Sequence, residues 1–217
     1  MSLYFITGTD TDCGKTTVTA ELAHYFSNQK KSIITQKWIQ TGSIQSKDDI
    51  DKHIEKLTYS KEELSPFIQH MCPYKFKLAS SAHLAAKKEN IKIDINTILN
   101  SIEILKKQFQ TILIEGLGGI CVPINSSQTT LDILLKINPK IILVIENKLG
   151  CINHALLTYS IIKANNLNCI GFIMNTKDKH LNPIIRDDNP DIIQKQTGLK
   201  KIGDLNLNKE LKLYTKV

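Results

Sequence analysis

The chain has 217 residues, of which 41% are hydrophobic and 23% charged. A chain of this length and composition is expected to form one globular domain, residues 1–217, whose core needs no disulfide bonds. No run of apolar residues approaches the roughly 18–20 that a helix needs to cross a bilayer, which argues against a membrane protein.

The formal net charge of +7 raises the question of a nucleic-acid partner. The lysines are dispersed and Arg186 is the single arginine, so we interpret the charge as a solvated surface with a site that attracts anionic substrates. The five cysteines lack a Cys-x-x-Cys pair, and the chain opens on a strand pattern without signal-peptide features. We therefore expect a cytoplasmic protein with neither a nucleic-acid nor a membrane partner.

The first predicted elements surround a glycine-bearing turn at residues 8–17. An apolar strand at residues 3–6 precedes this turn, and helical periodicity starts at Val18. Strand, turn, Gly-Lys-Thr and helix together indicate a phosphate-binding loop, because a helix N-terminus offers unpaired N–H groups to an anion. Lys15 would add a point charge and Thr16 a hydroxyl ligand for Mg²⁺. An ordinary strand-to-helix turn that happens to end in Gly-Lys-Thr is the alternative.

Further apolar segments follow in chain order, with helical stretches between them. A helix is predicted for about residues 95–107, whereas the polar stretch of about residues 43–96 has no clear pattern. The predicted strands after the first are residues 32–37, 111–115, 140–145 and 169–175, with a weaker one at 201–203. Near-continuous apolar strands separated by helices predict an α/β fold: a mostly parallel, P-loop NTPase-like sheet with helices on both faces.

Polar and glycine residues follow each of the five clearest strands, at the edge where ligands bind in such sheets. Glu115 ends an apolar strand before a glycine-rich turn, where it could hold Mg²⁺ or cap the next helix. Lys37 ends another strand and could be an ordinary surface lysine or a phosphate contact, and we expect it to be at least partly exposed. Asp48, Asp49 and Asp51 each could be a second metal ligand or a solvated charge.

These features together resemble dethiobiotin synthetases, the ATP-dependent enzymes of biotin biosynthesis. The resemblance rests on residues 8–16, Lys37 with residues 41–42, residues 115–119, residues 148–155 and Asn175. The five residues between Gly8 and Gly14, one more than the general loop has, are typical of this family. The Lys-Leu-Gly-Cys-Ile-Asn-His stretch from residue 148 is absent from generic P-loop ATPases.

The resemblance implies a homodimeric cyclo-ligase that uses MgATP to join CO₂ to 7,8-diaminopelargonic acid through a carbamate and a carbamic–phosphoric anhydride. It implies catalytic roles for Lys37, Lys15 and Thr11, and Mg²⁺ ligation by Thr16, Asp49 and Glu115, with Asp48 and Asp51 left open. The implied nucleotide contacts are Asp12, Cys13, Gly14, Lys15, Thr16, Thr17, Glu115, Gly116, Gly118, Asn175, Thr176, Gly203 and Leu205. The implied substrate contacts are Thr41 and Gly118, with Leu149, Gly150 and Asn153 supplied by the neighbouring subunit.

The chain departs from the family pattern at three places. Trp38 stands where a proline usually follows the lysine, and Ala82 replaces a proline before His83. The loop after Gly203 lacks the usual proline and aromatic residue, which leaves the adenine-side contacts open.

The main alternative function is that of a partitioning ATPase of the ParA/MinD kind. Those proteins carry a signature lysine early in the loop, where this chain has residues 9–12, which are uncharged or acidic. A cobyrinic-acid amide synthase would need a glutaminase domain, for which the chain leaves no room.

Overall fold

The computed structural model describes residues 1–43, 48–215 and 217. Its main sheet has seven described strands in the order β2-β5-β1-β6-β7-β8-β9. Their bounds are β1 Ser2–Gly8, β2 Ile33–Lys37, β5 Thr111–Glu115, β6 Lys140–Glu146, β7 Cys169–Asn175, β8 Lys201–Leu205 and β9 Leu211–Leu213. All neighbouring pairs are parallel except β8 and β9, which are antiparallel.

Helices connect the strands. Their bounds are α1 Lys15–Asn28, α2 Asp49–Ile54, α3 Lys61–Leu64, α4 Ile68–Met71, α5 Ala82–Lys88, α6 Ile95–Gln108, α7 Thr130–Ile137, α8 Cys151–Ala164 and α9 Pro183–Thr197, with a 3₁₀ turn at Ser65–Phe67. Among the residues described, no helix is long and apolar enough to cross a membrane.

The strands of the sheet are covered on both faces. Along β6, Ile142 and Val144 belong to the larger apolar cluster, whereas Leu143 and Ile145 belong to a second one with residues of α8 and α9. Successive side chains of a strand point to opposite faces, so the two clusters lie on opposite sides of the sheet. This layering explains the near-continuous apolar strands, and it confirms the expected α/β fold with a mostly parallel sheet.

The middle of the chain forms structure that the sequence pattern did not predict. Strand β3 (Ile39–Thr41) pairs in parallel with β4 (Tyr74–Phe76) as a separate two-stranded sheet. Helix α2 packs against α1 and β2, and it begins with a capping box in which the Asp48 and Asp51 side chains each accept from the other's backbone. Residues 44–47 of the polar stretch lie outside the described residues. The consequence for the site is that α2 brings Asp49 to the C-terminal end of β2.

Candidate active site

The glycine-bearing turn lies between β1 and α1, where it leaves the helix N-terminus open. Gly14 has φ 107°, a left-handed conformation that favours glycine, and α1 begins at the next residue. A Cβ on Gly14 would lie 2.3 Å from Nδ2 of Asn175, so no other residue fits there without displacement. The turn therefore has the backbone of an anion-binding loop at a helix N-terminus.

Two side chains at the end of β7 and just after it hold this loop in place. Asn175 Nδ2 donates to the Cys13 carbonyl oxygen at 2.8 Å, and Lys177 Nζ donates to the Asp12 carbonyl oxygen. Asn175 is buried, and its Oδ1 makes none of the hydrogen bonds found among the described residues. The side chain of Cys13 is fully buried, so this residue can meet a nucleotide only through its backbone.

A cluster of charges lies beside the loop at the ends of β2 and β5. Lys37 and Glu115 are register partners on these strands, and Lys37 Nζ donates to Glu115 Oε1 at 2.9 Å. The Thr16 hydroxyl donates to the same oxygen at 2.8 Å, and Lys37 also donates to Asp49 Oδ2. Four predicted site residues from four separate segments are thus joined by direct contacts.

The expectation that Lys37 is at least partly exposed is wrong. The residue is only 7% exposed, because α2 and its aspartate cover the end of β2. A lysine at a strand end is usually solvated, but here two carboxylates compensate for the burial of the ammonium group.

Mutual pairing shifts the pKa values of all three groups. Burial alone would lower the pKa of Lys37, but the charges of Glu115 and Asp49 outweigh it and raise the pKa well above its ordinary value. Burial acts to raise the pKa of Glu115, yet Lys37 and then His53 hold it far below the usual range. Burial and Glu115 act to raise the pKa of Asp49, but pairing with Lys37 lowers it overall. The cluster is therefore ionised at neutral pH.

The geometry also distinguishes among the three early aspartates. Asp48 accepts from Ser43 and Lys75, and Asp51 accepts from the backbone of Asp48 at the start of α2. Only Asp49 contacts Lys37 beside Glu115.

Two basic residues of α2 were not predicted from the sequence. His53 is fully buried, with Nε2 2.8 Å from Glu115 Oε2. Lys52, half-exposed, donates to Asp49 Oδ1 at 3.1 Å. The four-residue spacing from Asp49 to His53 on one helix face could have indicated that both reach the same site, had the helix been recognised.

A cavity of about 1030 Å³ opens above the loop and the charge cluster. The predicted site residues that line it are Thr11, Asp12, Gly14, Lys15, Thr16, Thr17, Lys37, Thr41, Asp49, Glu115, Gly116, Gly118, Asn175, Thr176 and Leu205. Asn206 and Leu207, of the loop expected to close over the nucleotide, also line it. Further lining residues that were not predicted are Gln40, Lys52, Ser80, Ser81, Lys177 and Lys209. The cavity therefore extends from the loop to the C-terminal end of β2 and to the turn after β8.

Five predicted site residues lie outside this cavity. Cys13 lies behind the loop, and Gly203 packs against β9, where a Cβ would lie 2.7 Å from the Lys212 carbonyl oxygen. Leu149, Gly150 and Asn153 lie at the exposed start of α8, where Leu149 is 87% exposed. These last three do not contribute to the cavity of their own chain.

The donor set beside the loop fits Mg²⁺ chemically. Thr16 offers a hydroxyl, and Asp49 and Glu115 offer carboxylates, which are the hard oxygen ligands that Mg²⁺ prefers. Within the described part of the chain, no group of three or more His, Cys, Asp or Glu side chains could hold a metal alone. This agrees with a metal that takes one or two carboxylates together with phosphate oxygens and water.

A parallel sheet, a glycine loop at a helix N-terminus and an adjoining lysine–carboxylate cluster define a P-loop nucleotide-binding protein. A family model described as an AAA domain matches residues 3–213. The ATP-dependent dethiobiotin synthetase BioD of Legionella pneumophila (strain Paris) is 37% identical over 182 residues, covering 83% of this chain and 83% of its own. The ATP-dependent dethiobiotin synthetase BioD 2 of Haemophilus ducreyi is 39% identical over 176 residues, covering 80% of this chain and 82% of its own. The chain belongs to the family of ATP-dependent dethiobiotin synthetases, which confirms the family and the kind of enzyme expected from its motifs.

Solved structures with the same fold include a cell division protein and a ParA family ATPase. A chain of the MinC:MinD cell division protein complex of Aquifex aeolicus has a TM-score of 0.58 at 13% identity, covering 97% of this chain and 86% of that one. A ParA family ATPase from Chlorobium tepidum has a TM-score of 0.57 at 16% identity, with coverages of 94% and 84%. At such low identity these likenesses show a shared fold and carry no conclusion about partitioning.

Proposed function

We propose that this protein is a single ligase domain, residues 1–217, that joins CO₂ to 7,8-diaminopelargonic acid and closes a ureido ring. Dethiobiotin, ADP and phosphate are the products, and MgATP is the co-substrate. The observation that carries this proposal is the convergence of Lys15, Thr16, Lys37, Asp49 and Glu115 on one cavity, in a chain of this family. Generic nucleotide binding does not require a buried lysine held between two carboxylates.

The proposed reaction needs positioning and charge neutralisation more than a covalent nucleophile. One amine of the diamine captures CO₂ as a carbamate, whose oxygen attacks the γ-phosphate and releases ADP. The second amine then attacks the carbonyl carbon of the resulting carbamic–phosphoric anhydride and expels phosphate, which closes the ring. No group of the protein forms or breaks a covalent bond in this sequence.

Lys15 and Lys37 supply the positive charge for these steps. An ammonium group has three N–H donors, and Lys37 uses two of them on Asp49 and Glu115. The third remains for an oxygen of the phosphate or the carbamate, in a water-poor position where such a bond is strong. Lys15 lies at the first position of α1, where the helix N-terminus adds to its charge.

Thr16, Asp49 and Glu115 would hold Mg²⁺. When bound, this ion would supply positive charge that neutralises the charge developing on the phosphates. The contacts of Glu115 with Thr16 and of Asp49 with Lys37 already bring the three donors to one place.

The remaining proposed contacts position the substrates. Thr11 and Thr41 line the cavity near the loop and would hold the carbamate or the diamine, together with backbone near Gly118. Asn175 would meet adenine through Oδ1, since its amide NH₂ already donates to the loop. Leu205 and the turn after it would cover the nucleotide, whereas Gly203 packs against β9.

A homodimer completes the proposed site. Leu149, Gly150 and Asn153 are exposed at the start of α8 and would bind the carboxylate tail of a diamine held in the neighbouring subunit. We propose a cytoplasmic location, in keeping with the five free cysteines.

Phosphate release in the presence of diaminopelargonic acid, bicarbonate and MgATP tests this function. Release should require the diamine, and omission of it should reduce the rate to background. The opposite pattern, ATP hydrolysis that ignores the diamine and increases with DNA, would support a partitioning ATPase instead.

A further inference from the structure

The buried imidazole of His53 is a feature that the proposed reaction does not use. His53 is fully buried on α2, and its Nδ1 has no hydrogen-bond partner among the described residues. A buried polar group without partners costs free energy, so such groups are rare in native proteins. An apolar side chain of similar size would fill the same space without that cost, and packing alone therefore does not explain a histidine here.

The other ring nitrogen of His53 faces the Glu115 carboxylate. Nε2 lies 2.8 Å from Oε2, although the two atoms are not aligned as in a regular hydrogen bond. The carboxylate is ionised, because its Oε1 accepts from the buried Lys37 ammonium group at 2.9 Å. Two lone pairs would repel at this separation, so Nε2 carries the hydrogen and faces Oε2 at an angle away from the ideal hydrogen-bond line.

The two oxygens of Glu115 thus have different partners. Oε1 accepts from Thr16 and Lys37 and faces the loop, whereas Oε2 is turned away from solvent toward His53. A carboxylate that rotates freely about its Cγ–Cδ bond does not keep an oxygen directed at the loop. His53, which lies 2.8 Å from Oε2, limits that rotation.

The backbone of α2 couples this contact to the second carboxylate. His53 follows Asp49 by one helical turn, so both side chains project from one face of α2 toward the strand ends. Asp49 meets Lys37 and His53 meets Glu115, and both carboxylates thereby take their positions from the same short helix.

We propose that His53 is a positioning residue for the metal site, which holds Glu115 Oε2 so that Oε1 faces the Mg²⁺ and phosphate position. This inference rests on the proposed function, because it takes Glu115 as a ligand of Mg²⁺. Ligand-supporting groups of this kind typically change metal affinity by about 10- to 100-fold when they are removed.

The test is the affinity for Mn²⁺, measured by electron paramagnetic resonance of free Mn²⁺ in the presence of a non-hydrolysable ATP analogue. His53→Met should weaken this affinity by about tenfold or more, whereas His53→Gln, which keeps an N–H donor, should remain within about threefold of wild type. His70→Leu is the matched control, because His70 lies on α4 next to β2 and contacts Ser101 rather than a carboxylate. It should bind Mn²⁺ as wild type does.

Kinetic measurements distinguish a positioning role of His53 from a general loss of activity in the variant. The apparent KM for Mg²⁺ should rise by about tenfold in His53→Met, while kcat at saturating Mg²⁺ should fall by less than about threefold. Wild-type affinity for Mn²⁺ in a folded His53→Met would overturn the proposal, as would an equal loss in His53→Gln. If His53→Met does not fold, His53→Asn takes its place, since the shorter amide cannot reach Oε2, and wild-type affinity there would equally overturn it.

Wild type and Glu115→Gln distinguish this proposal from the function on which it rests. Wild type should bind Mn²⁺ with the analogue, and Glu115→Gln should bind it poorly. If Glu115→Gln bound Mn²⁺ as well as wild type does, Glu115 would not be a metal ligand, and that part of the proposed function would be wrong. If Glu115→Gln bound Mn²⁺ poorly but His53→Met bound it as wild type does, only the role of His53 would be refuted.

Discussion

Lys37 and Glu115 are register partners on β2 and β5, and their side chains meet 2.9 Å apart in the interior. Parallel neighbours in register place their final side chains at the same level of the sheet. The adjacent strand β1 leads into the phosphate loop, with Ile6 in register with Glu115. The sheet itself therefore sets the distance between the loop and the charge cluster.

Substitution of Lys37 should affect both stability and activity. Lys37→Met leaves Glu115 buried without its main charge partner, and removal of one member of a buried pair costs about 3–5 kcal/mol in the free energy of unfolding. Diamine-dependent phosphate release should fall by about 100-fold or more, as when a preorganised donor is lost. Urea denaturation and the phosphate assay measure the two effects.

Lys106→Met is the control for Lys37→Met. Lys106 pairs with Glu103 one helical turn away on the surface of α6, and its loss should change stability by no more than about 0.5 kcal/mol. If Lys37→Met were as stable as Lys106→Met, the burial and pairing of Lys37 would be contradicted.

Stability should fall steeply in acid. The folded-state pKa values of Glu115 and Asp49 lie below their ordinary values, so the unfolded chain binds protons first as the pH falls below about 4. Unfolding free energy should rise with pH there, by up to about 1.4 kcal/mol per pH unit for each group, and level off above about pH 5. Because the pKa of Lys37 is raised in the folded state, the contribution of Lys37 to stability is lost only as the pH rises above about 10.5.

Glu115→Gln provides the comparison for the acid limb. In this variant, the slope of unfolding free energy against pH between about pH 3 and 4 should lose the contribution of one carboxylate. Urea unfolding at a series of pH values measures the slope. An unchanged slope would mean that Glu115 is not the ionised, paired group described.

Asn175 should stabilise the phosphate loop as well as contact the adenine base. In Asn175→Leu the Cys13 carbonyl oxygen loses its donor, and both ATP and inorganic tripolyphosphate should bind about tenfold more weakly. Tripolyphosphate has no base, so it reports on the loop alone. Calorimetric titration measures both affinities.

Asn189→Leu is the matched control for Asn175→Leu. Asn189 is also buried, but its amide donates to Asn147 rather than to the loop. It should lose stability without loss of tripolyphosphate affinity. A loss confined to ATP in Asn175→Leu would show that the side chain reads the base and does not hold the loop.

Gly14→Ala should abolish nucleotide binding through sterics. Gly14 and Gly198 both have positive φ, of 107° and 74°, but only a Cβ on Gly14 meets another atom, Asn175 Nδ2 at 2.3 Å. Both alanine variants should lose about 1–2 kcal/mol of stability from backbone strain. Only Gly14→Ala should lose affinity for ATP, and equal affinities in calorimetry would contradict the steric role of Gly14.

The parallel strands and the loop could be predicted from the sequence because they rest on local patterns. Continuous apolar runs at residues 111–115 and 169–175 match β5 and β7, since strands covered on both faces need no polar alternation. The short β3 and β4, by contrast, have too few residues to show a period. The antiparallel β9 lies in a mixed C-terminal stretch and was likewise not predicted.

The burial of the site residues could not be predicted in the same way. The burial of Lys37 depends on where α2 packs, which is a tertiary contact without a local signal. The contact of His53 with Glu115 depends on the same helix, so neither feature could be predicted from a stretch without a clear pattern. The glycine loop did not depend on such a contact, because its glycines, its Gly-Lys-Thr and the flanking strand and helix are all local in sequence.

In the proposed reaction, ATP cleavage is coupled to ring closure. The most direct measurement supplies ¹³C-bicarbonate and compares the phosphate released with the ¹³C found in an acid-stable cyclic urea by mass spectrometry. The two amounts should be equal, and neither product should form without diaminopelargonic acid. Phosphate released without ¹³C in a cyclic urea would contradict the proposed reaction.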